Sequence, residues 1–202
     1  SLYRDAKLVI KPQISIYRNG IFARAVQSRS TNDEARSTNN DARPIAVTVQ
    51  LDGFRGQGRN KKLDVVCDIL DADGNVKATM KERAPWSKND HQEVELSGEI
   101  NDVVRWDIYK PYLYTADVRL VLDGREIDRE SVRFGVKDIE LDGEYGFKIN
   151  GRKEFLKSVS GHHDLGAVGV AAYRRAIRRQ FEVLKEFGFN AIRCSHNPYS
   201  ED

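Results

Sequence analysis

Polar and ionisable side chains occur where two strand-like runs end in the last quarter of this 202-residue chain. The runs are residues 155–160 and 189–194. Parallel α/β barrels assemble their active sites from side chains at the carboxyl ends of successive strands. Imidazole, amide and guanidinium groups at such positions can form hydrogen bonds with a bound ligand. The candidate ligand-binding residues are His162, His163, Asp164, Arg193, His196 and Asn197.

A metal site is not predicted at this cluster. Adjacent residues of an extended chain point to opposite sides, so His162, His163 and Asp164 cannot converge on one ion. The two cysteines, Cys67 and Cys194, lie far apart in sequence, and their spacing predicts neither a zinc site nor a disulfide framework. Cys67 alternates with apolar residues of a strand-like run, so we expect its side chain to be buried.

The candidate residues belong to a predicted β-α-β unit. Between the two strand-like runs, residues 173–187 repeat apolar side chains at helical spacing, and Gly188 is placed to end the helix. Upstream, Asn150-Gly151 predicts a tight turn. A strand, a helix and a second strand joined by short loops form the repeating unit of a parallel barrel.

The preceding part of the chain has a different pattern. Apolar and more polar residues alternate over residues 45–51, as in a strand with one buried face. Asp-Gly pairs at residues 73–74 and 123–124 predict tight hairpin turns. Counting from Leu8 gives eight or nine candidate strands by about residue 135, without helical periodicity. This part of the chain therefore predicts an antiparallel β-sandwich of immunoglobulin-like type.

The predicted fold class is mainly β, an immunoglobulin-like antiparallel sandwich followed by a partial (β/α) barrel segment. We expect the sandwich over residues 6–138 and the barrel segment over residues 139–202. Residues 28–43 have alanine as their only apolar residue type, and residues 53–62 are rich in glycine and basic charge. Both stretches predict mobile, solvated loops. The alternative is a contact surface for a neighbouring domain or a polysaccharide.

The charge balance argues against a nucleic-acid-binding protein. The net charge is +2, from 33 basic and 31 acidic residues, so there is no strong positive field. Four arginines lie between residues 174 and 179, and Glu182 and Glu186 follow on the same predicted helix. Such a mixture of charges is typical of a solvated helix face. We expect no membrane span and no nucleic-acid partner.

Several motifs together resemble glycoside hydrolase family 2, which includes β-galactosidases, β-glucuronidases and β-mannosidases. The similar segments are Leu2-Tyr3-Arg4-Asp5, Trp106 with residues 110–114 (KPYLY), residues 134–137 (FGVK) with Ile139-Glu140, residues 147–151 (FKING), residues 155–157 (FLK), residues 161–166 (GHHDLG) and residues 190–198 (NAIRCSHNP). In this family a sugar-binding-type domain and a sandwich precede a catalytic barrel. The resemblance implies that residues 1–5 are the tail of the sugar-binding-type domain.

The resemblance also assigns roles to the candidate residues. His162 is similar to the histidine after the first barrel strand, and Arg193, His196 and Asn197 match the motif at the end of the second. These residues would form part of the wall that hydrogen-bonds sugar hydroxyls. The commoner family motif has an arginine, a histidine and an acid after the first strand, whereas this chain has Gly161 followed by His162, His163 and Asp164. The resemblance implies no cofactor, although some family members use bound cations.

The implied activity is that of a retaining, exo-acting β-glycosidase, with β-galactosidase as the expected member. The family places both catalytic glutamates on later barrel strands, the acid/base after an asparagine, and no Asn-Glu pair occurs in this chain. A complete barrel needs eight βα units and about 250 residues. We therefore expect a fragment of a larger enzyme with no catalytic residue of its own and no activity alone.

Three further expectations accompany this interpretation. A stand-alone, non-catalytic sandwich that binds a glycan or a protein is the alternative function. The partial barrel segment predicts a homodimer, a strand-swapped assembly or a non-native fold of residues 147–202. The sequence leaves the compartment open, and a periplasmic or extracellular location would suit an enzyme that degrades glycans.

Overall fold

The computed structural model describes residues 8–26, 42–55, 61–86, 89–144, 146–162, 165–171 and 173–196. The chain divides into two compact units. The larger unit comprises Ile10–Glu140 and Lys148–Arg152. The smaller unit includes Leu141–Phe147 and the described residues from Lys153 onward. Residues 1–5 and most of the two predicted loops lie outside the described residues, and those expectations stay predictions.

The larger unit contains two antiparallel sheets, one of three strands and one of four. This confirms the predicted immunoglobulin-like sandwich. The strands are β1 (Ser15–Ala25), β2 (Arg43–Asp52), β3 (Leu63–Leu70), β4 (Val76–Arg83), β5 (Gln92–Ile100), β6 (Tyr114–Leu122) and β7 (Arg125–Phe134). The strand order is β1-β2-β5 in one sheet and β4-β3-β6-β7 in the other.

The core lies between the two sheets and follows the alternating sequence pattern. Inward-facing residues of β2 and β3 are fully buried, whereas their sequence neighbours are more exposed. Cys67 is among these buried residues, as predicted, and burial raises the pKa of its thiol to about 12. Each Å² of apolar surface that is removed from water stabilises the fold by about 25 cal/mol, and this hydrophobic term is the main force that holds the two sheets together.

The hairpin turns agree with the predicted dipeptides. Asp123 and Gly124 have φ values of 49° and 85° and join β6 to β7, as a two-residue turn requires. Between β3 and β4, Gly74 has φ 87°, and the Asp71 carboxylate accepts hydrogen bonds from the N–H groups of Asp73 and Asn75.

The described residues contain fewer strands than the eight or nine counted from the sequence. Seven strands lie in the described part of residues 8–135, and the run that begins at Leu8 is not one of them. Leu8 and Ile10 are 90% and 87% exposed, and the run ends at Pro12, which has no N–H to donate to a strand ladder. Lys11 instead pairs with Asp128 and Glu130 of β7.

A buried polar network closes one end of the sandwich. Asp138 lies between Arg43 and Arg105, and one carboxylate oxygen accepts from both guanidinium groups at 2.8 and 2.9 Å. Asn150, with φ 50°, donates its backbone N–H to the Asp138 carbonyl and accepts from the Asp138 N–H. Its side-chain amide donates to the carbonyl of Trp106. The predicted turn at Asn150-Gly151 is thereby fixed to the sandwich.

The side chain of Trp106 packs against Gly135, the residue that directly follows β7. The indole ring covers Gly135 so closely that a Cβ at residue 135 would lie 2.7 Å from atoms of the Trp106 side chain. The ammonium of Lys137 lies 5.0 Å from the centre of the same ring. This contact needs glycine at residue 135 because any larger side chain would displace the ring.

Five short strands, a 3-10 turn and one helix follow β7 along the described part of the chain. Strands β8 (Ile139–Asp142), β9 (Gly146–Ile149) and β10 (Arg152–Lys153) form a sheet of order β10-β9-β8. They are followed by β11 (Ser158–Gly161), a 3-10 turn at Gly166–Val168, helix α1 (Arg174–Glu186) and β12 (Ala191–Cys194). No helix in the described ranges is long and apolar enough to cross a membrane.

The predicted β-α-β order is confirmed, with two shorter strands. β11 and β12 are parallel, and Gly188, whose φ is 80°, lies two residues after the last residue of α1. The N–H groups of Gly188 and Phe189 donate to the carbonyls of Lys185 and Leu184, which closes the helix in a Schellman motif. The first strand begins at Ser158 rather than residue 155, because the backbone before it is held by a side chain instead of a strand ladder.

Candidate functional site

The parallel pairing of β11 and β12 brings their carboxyl ends to one edge. Ser160 is paired with Arg193 and Gly161 with Cys194. One residue further, the N–H of Ser195 donates to the carbonyl of Gly161 at 2.9 Å. The two strands therefore end side by side, and the side chains of the residues that follow them lie close together.

Two of the predicted site residues form a pair at this edge. The ring centres of His162 and His196 are 5.4 Å apart, and the ring planes are inclined by 42°. Both residues are exposed. Each neutral imidazole has one donor and one acceptor nitrogen, so the pair can offer both kinds of hydrogen bond to a ligand.

His196 has a left-handed backbone conformation, with φ 63°. This region is uncommon for residues other than glycine, although histidine adopts it more often than most. Such conformations cost of order 1 kcal/mol and are concentrated at binding and catalytic sites. His196 therefore combines this backbone conformation with an imidazole that lies beside His162.

Arg193 lies one strand residue before the edge, and its side chain reaches Ser195. Its Nη1 donates to Ser195 Oγ at 3.5 Å. Ser195 is only 2% exposed, whereas Arg193 is exposed. The buried hydroxyl is therefore a support for the arginine. Sequence reasoning missed Ser195, although a small polar residue directly after a strand was an available signal.

Asn190 fixes the opposite end of the strand pair and was also missed. Its side-chain oxygen accepts from the N–H of Lys157 at 2.8 Å, and its amide nitrogen donates to the carbonyl of Phe155 at 3.1 Å. Its backbone N–H donates to the Lys157 carbonyl at 3.1 Å. These three bonds set the register of β12 against β11, and the register decides that His162 and His196 are neighbours.

The structure describes only half of the predicted set. His162, Arg193 and His196 are brought to one strand edge, whereas His163, Asp164 and Asn197 lie outside the described residues. Within the described part of the chain, no three His, Cys, Asp or Glu side chains are grouped so that they could hold a metal ion.

Comparison with protein families accounts for both halves of the chain. The family model described as "Glycosyl hydrolases family 2" matches residues 34–137, and the model described as "Glycosyl hydrolases family 2, TIM barrel domain" matches residues 139–202. The chain belongs to glycosyl hydrolase family 2. All six candidate residues fall within the region similar to the barrel domain of this family.

Relatives in this family include enzymes with different names. The chain is 36% identical over 141 residues to a β-galactosidase of Bacteroides ovatus, covering 69% of this chain and 16% of that protein. It is 26% identical over 202 residues to a β-glucuronidase of Streptococcus agalactiae, covering the whole chain and 28% of that protein. The chain thus spans less than a third of either relative.

A solved structure supports the same assignment. A family 2 member from Bacteroides cellulosilyticus superposes with a TM-score of 0.82 at 29% identity. The match covers 95% of this chain and 25% of that structure. The fold of this chain is therefore similar to that of a solved family 2 member.

Proposed function

We propose that this chain is part of a retaining, exo-acting β-glycosidase, with a terminal β-galactoside as its substrate. Membership of glycosyl hydrolase family 2 supports the reaction class. The name of the Bacteroides ovatus relative supports the galactoside, while the name of the Streptococcus agalactiae relative makes a glucuronide the competing substrate.

The observation that carries the proposal is the pair formed by His162 and His196. Their rings are 5.4 Å apart at the carboxyl edge of two parallel strands, in the segment similar to the family's catalytic barrel. Side chains at this edge face the substrate in parallel barrels. We assign these imidazoles to the hydroxyl groups of the terminal sugar, with Arg193 held beside them by Ser195.

The proposed division of roles follows the chemistry of retention. Two carboxyl groups about 5–5.5 Å apart act as nucleophile and acid/base. We place both on later strands of the barrel, by resemblance to the family, and assign neither role to a residue of this chain. The histidines and Arg193 would bind and orient the sugar without taking part in covalent chemistry. His163, Asp164 and Asn197 complete the proposed wall.

The proposed domain boundaries are those indicated by the sequence. We assign residues 6–138 to the sandwich and residues 139–202 to the first part of the barrel, with residues 1–5 as the tail of a sugar-binding-type domain. The two family models meet between residues 137 and 139, which supports this boundary.

Hydrolysis of chromogenic substrates tests the proposal. The panel contains β-galactoside, β-glucuronide and β-mannoside, each assayed with this chain and with a longer protein that includes a complete barrel. We expect activity only in the longer protein and highest on the β-galactoside. Highest activity on the β-glucuronide would correct the substrate, and activity of the 202-residue chain would refute the placement of the catalytic carboxylates.

Variants of the longer protein test the assigned residues. A hydrogen bond to an uncharged group contributes about 0.5–1.5 kcal/mol, so His196→Ala should lower kcat/KM by roughly two- to tenfold or more. Arg178→Ala, on the exposed face of α1, is the control and should leave kcat/KM unchanged. Equal activity of His162→Ala, His196→Ala and the control would contradict the assignment.

A further inference from the structure

A groove of about 520 Å³ lies on the outer face of the sheet β1-β2-β5. This volume is within the roughly 300–1,000 Å³ typical of small-molecule sites. The groove belongs to the larger unit and contains none of the candidate barrel residues. Its aromatic and polar lining side chains are Tyr17, Gln50, Asn89, His91, Gln92 and Glu93.

An irregularity in β1 presents Tyr17 to this groove. Ile16 pairs with Leu51, whereas Ile21 pairs with Val49, so the residues from Tyr17 to Gly20 bulge out opposite a single residue of β2. Asn19 has φ 56°, and a Cβ at Gly20 would lie 2.7 Å from the Tyr17 carbonyl oxygen. Bulges re-aim side chains and are frequent near functional sites. Here Tyr17 remains 47% exposed.

Neighbouring side chains hold the orientation of Tyr17. The ring of His91 meets the Tyr17 ring edge to face, with centres 6.0 Å apart and planes at 88°. His91 Nδ1 lies 3.1 Å from Asp52 Oδ1, which fixes the imidazole in turn. An aromatic ring that is already oriented loses little conformational entropy when a ligand binds to it.

The facing wall consists of planar polar groups. Gln50 and Glu93 are register partners on β2 and β5, and Gln50 Nε2 donates to Glu93 Oε2 at 3.4 Å. Both side chains are exposed. An amide and a carboxylate side by side offer donors and acceptors that can bridge neighbouring hydroxyl groups. A pyranose ring has the complementary shape, since it carries an apolar C–H face and hydroxyls around its edge.

We propose that this groove is a non-catalytic binding site for a neutral oligosaccharide, separate from the histidine pair. Tyr17 contacts the C–H face of one sugar, and Gln50 and Glu93 bind its hydroxyls. Among the described residues that line the groove none is Lys or Arg, and Glu93 would repel a carboxylated sugar. The site is at the Asp52 end of β2, the opposite end from the buried Arg43–Asp138 pair.

NMR titration of the 202-residue chain tests the inference. The probes are cellotetraose, xylotetraose and β-1,4-galactotetraose, with tetragalacturonate as the anionic comparison. We expect saturable shifts of the Tyr17, Gln50 and Glu93 amides with at least one neutral tetrasaccharide. Tyr17→Ala should weaken binding about tenfold. Tyr109→Ala, which removes a 72% exposed tyrosine outside the groove, should leave binding unchanged.

Gln50→Ala is the second variant, because its exposed side chain can be removed without disturbing the core. It should also weaken binding, by several-fold. The inference is overturned if no neutral probe causes saturable shifts, or if the shifts are confined to His162 and His196. It is equally overturned if both variants bind as tightly as the parent chain, or if tetragalacturonate binds more tightly than every neutral probe.

Discussion

The buried carboxylate of Asp138 gives the sharpest prediction about stability. Its side chain is 10% exposed, and it lies between Arg43 and Arg105, whose side chains are 6% and 9% exposed. Asp138→Asn keeps the size of the side chain but removes the negative charge. The variant leaves two positive charges buried close together without their shared carboxylate.

The expected loss of stability is large. Removing one partner of a buried ion pair costs about 3–5 kcal/mol, which is roughly a 150- to 5,000-fold change in the unfolding equilibrium. Domains of this size have about 5–15 kcal/mol in total. With a urea m-value of about 2 kcal/mol per M, the midpoint of unfolding should fall by about 2 M.

Urea unfolding followed by tryptophan fluorescence measures this effect. Both tryptophans, Trp86 and Trp106, belong to the larger unit, so the signal reports unfolding of the sandwich. Glu95→Gln is the matched control, because its pair with Arg24 is 3.7 Å long and more than half exposed on both sides. Exposed pairs contribute about 0–1 kcal/mol, so the control should change the midpoint little.

A triple variant separates the charge effect from packing. Arg43→Met, Arg105→Met and Asp138→Leu together replace the cluster by apolar side chains of similar size. Such replacements are often neutral or stabilising, so the triple variant should recover most of the loss seen with Asp138→Asn. The reasoning is refuted if Asp138→Asn costs less than about 1 kcal/mol, or if the triple variant is no more stable than the single one.

Three further predictions concern other parts of the chain. Cys67 is buried with a pKa of about 12 and Cys194 is exposed, so a thiol reagent at pH 8 should label one cysteine in the folded chain and both in urea; labelling of Cys67 in the folded chain would contradict its burial. Gly135→Ala should destabilise the sandwich by about 1–3 kcal/mol in urea unfolding because its Cβ meets Trp106, whereas Gly143→Ala, which meets nothing within 4 Å, should not. The exposed Phe155, Tyr173 and Phe187 should cause self-association, seen by light scattering as a mass that rises with concentration and falls in Phe155→Lys with Phe187→Lys; a monomer at all concentrations would contradict this.

The sequence predicted the elements with strong local signals. Alternation predicted the sandwich strands, Asp123-Gly124 predicted a hairpin turn, and Gly188 predicted the end of α1. Each of these features is decided by side-chain periodicity or by a single backbone conformation within a few residues. The strand-end position of His162 and His196 followed from the same reasoning.

Features that depend on distant partners were not predictable. Arg43 was assigned to a solvated loop, yet it is the first residue of β2 and only 5% exposed, because Asp138 lies beside it from 95 residues further along the chain. Asn190 holds Phe155 and Lys157, more than 30 residues away. Nothing in the local pattern around either residue distinguishes these roles from solvent exposure.

The motifs that indicated the family divide into two physical classes. One class has a structural role: Gly135 packs against the ring of Trp106, and Asn150 donates hydrogen bonds to the carbonyls of Trp106 and Asp138. His162 and His196 have no comparable packing role, since both are exposed and one has a left-handed backbone conformation. Two exposed imidazoles at this separation contribute little to the free energy of folding. The proposed sugar binding therefore depends on these two residues, and the variants His162→Ala and His196→Ala test it directly.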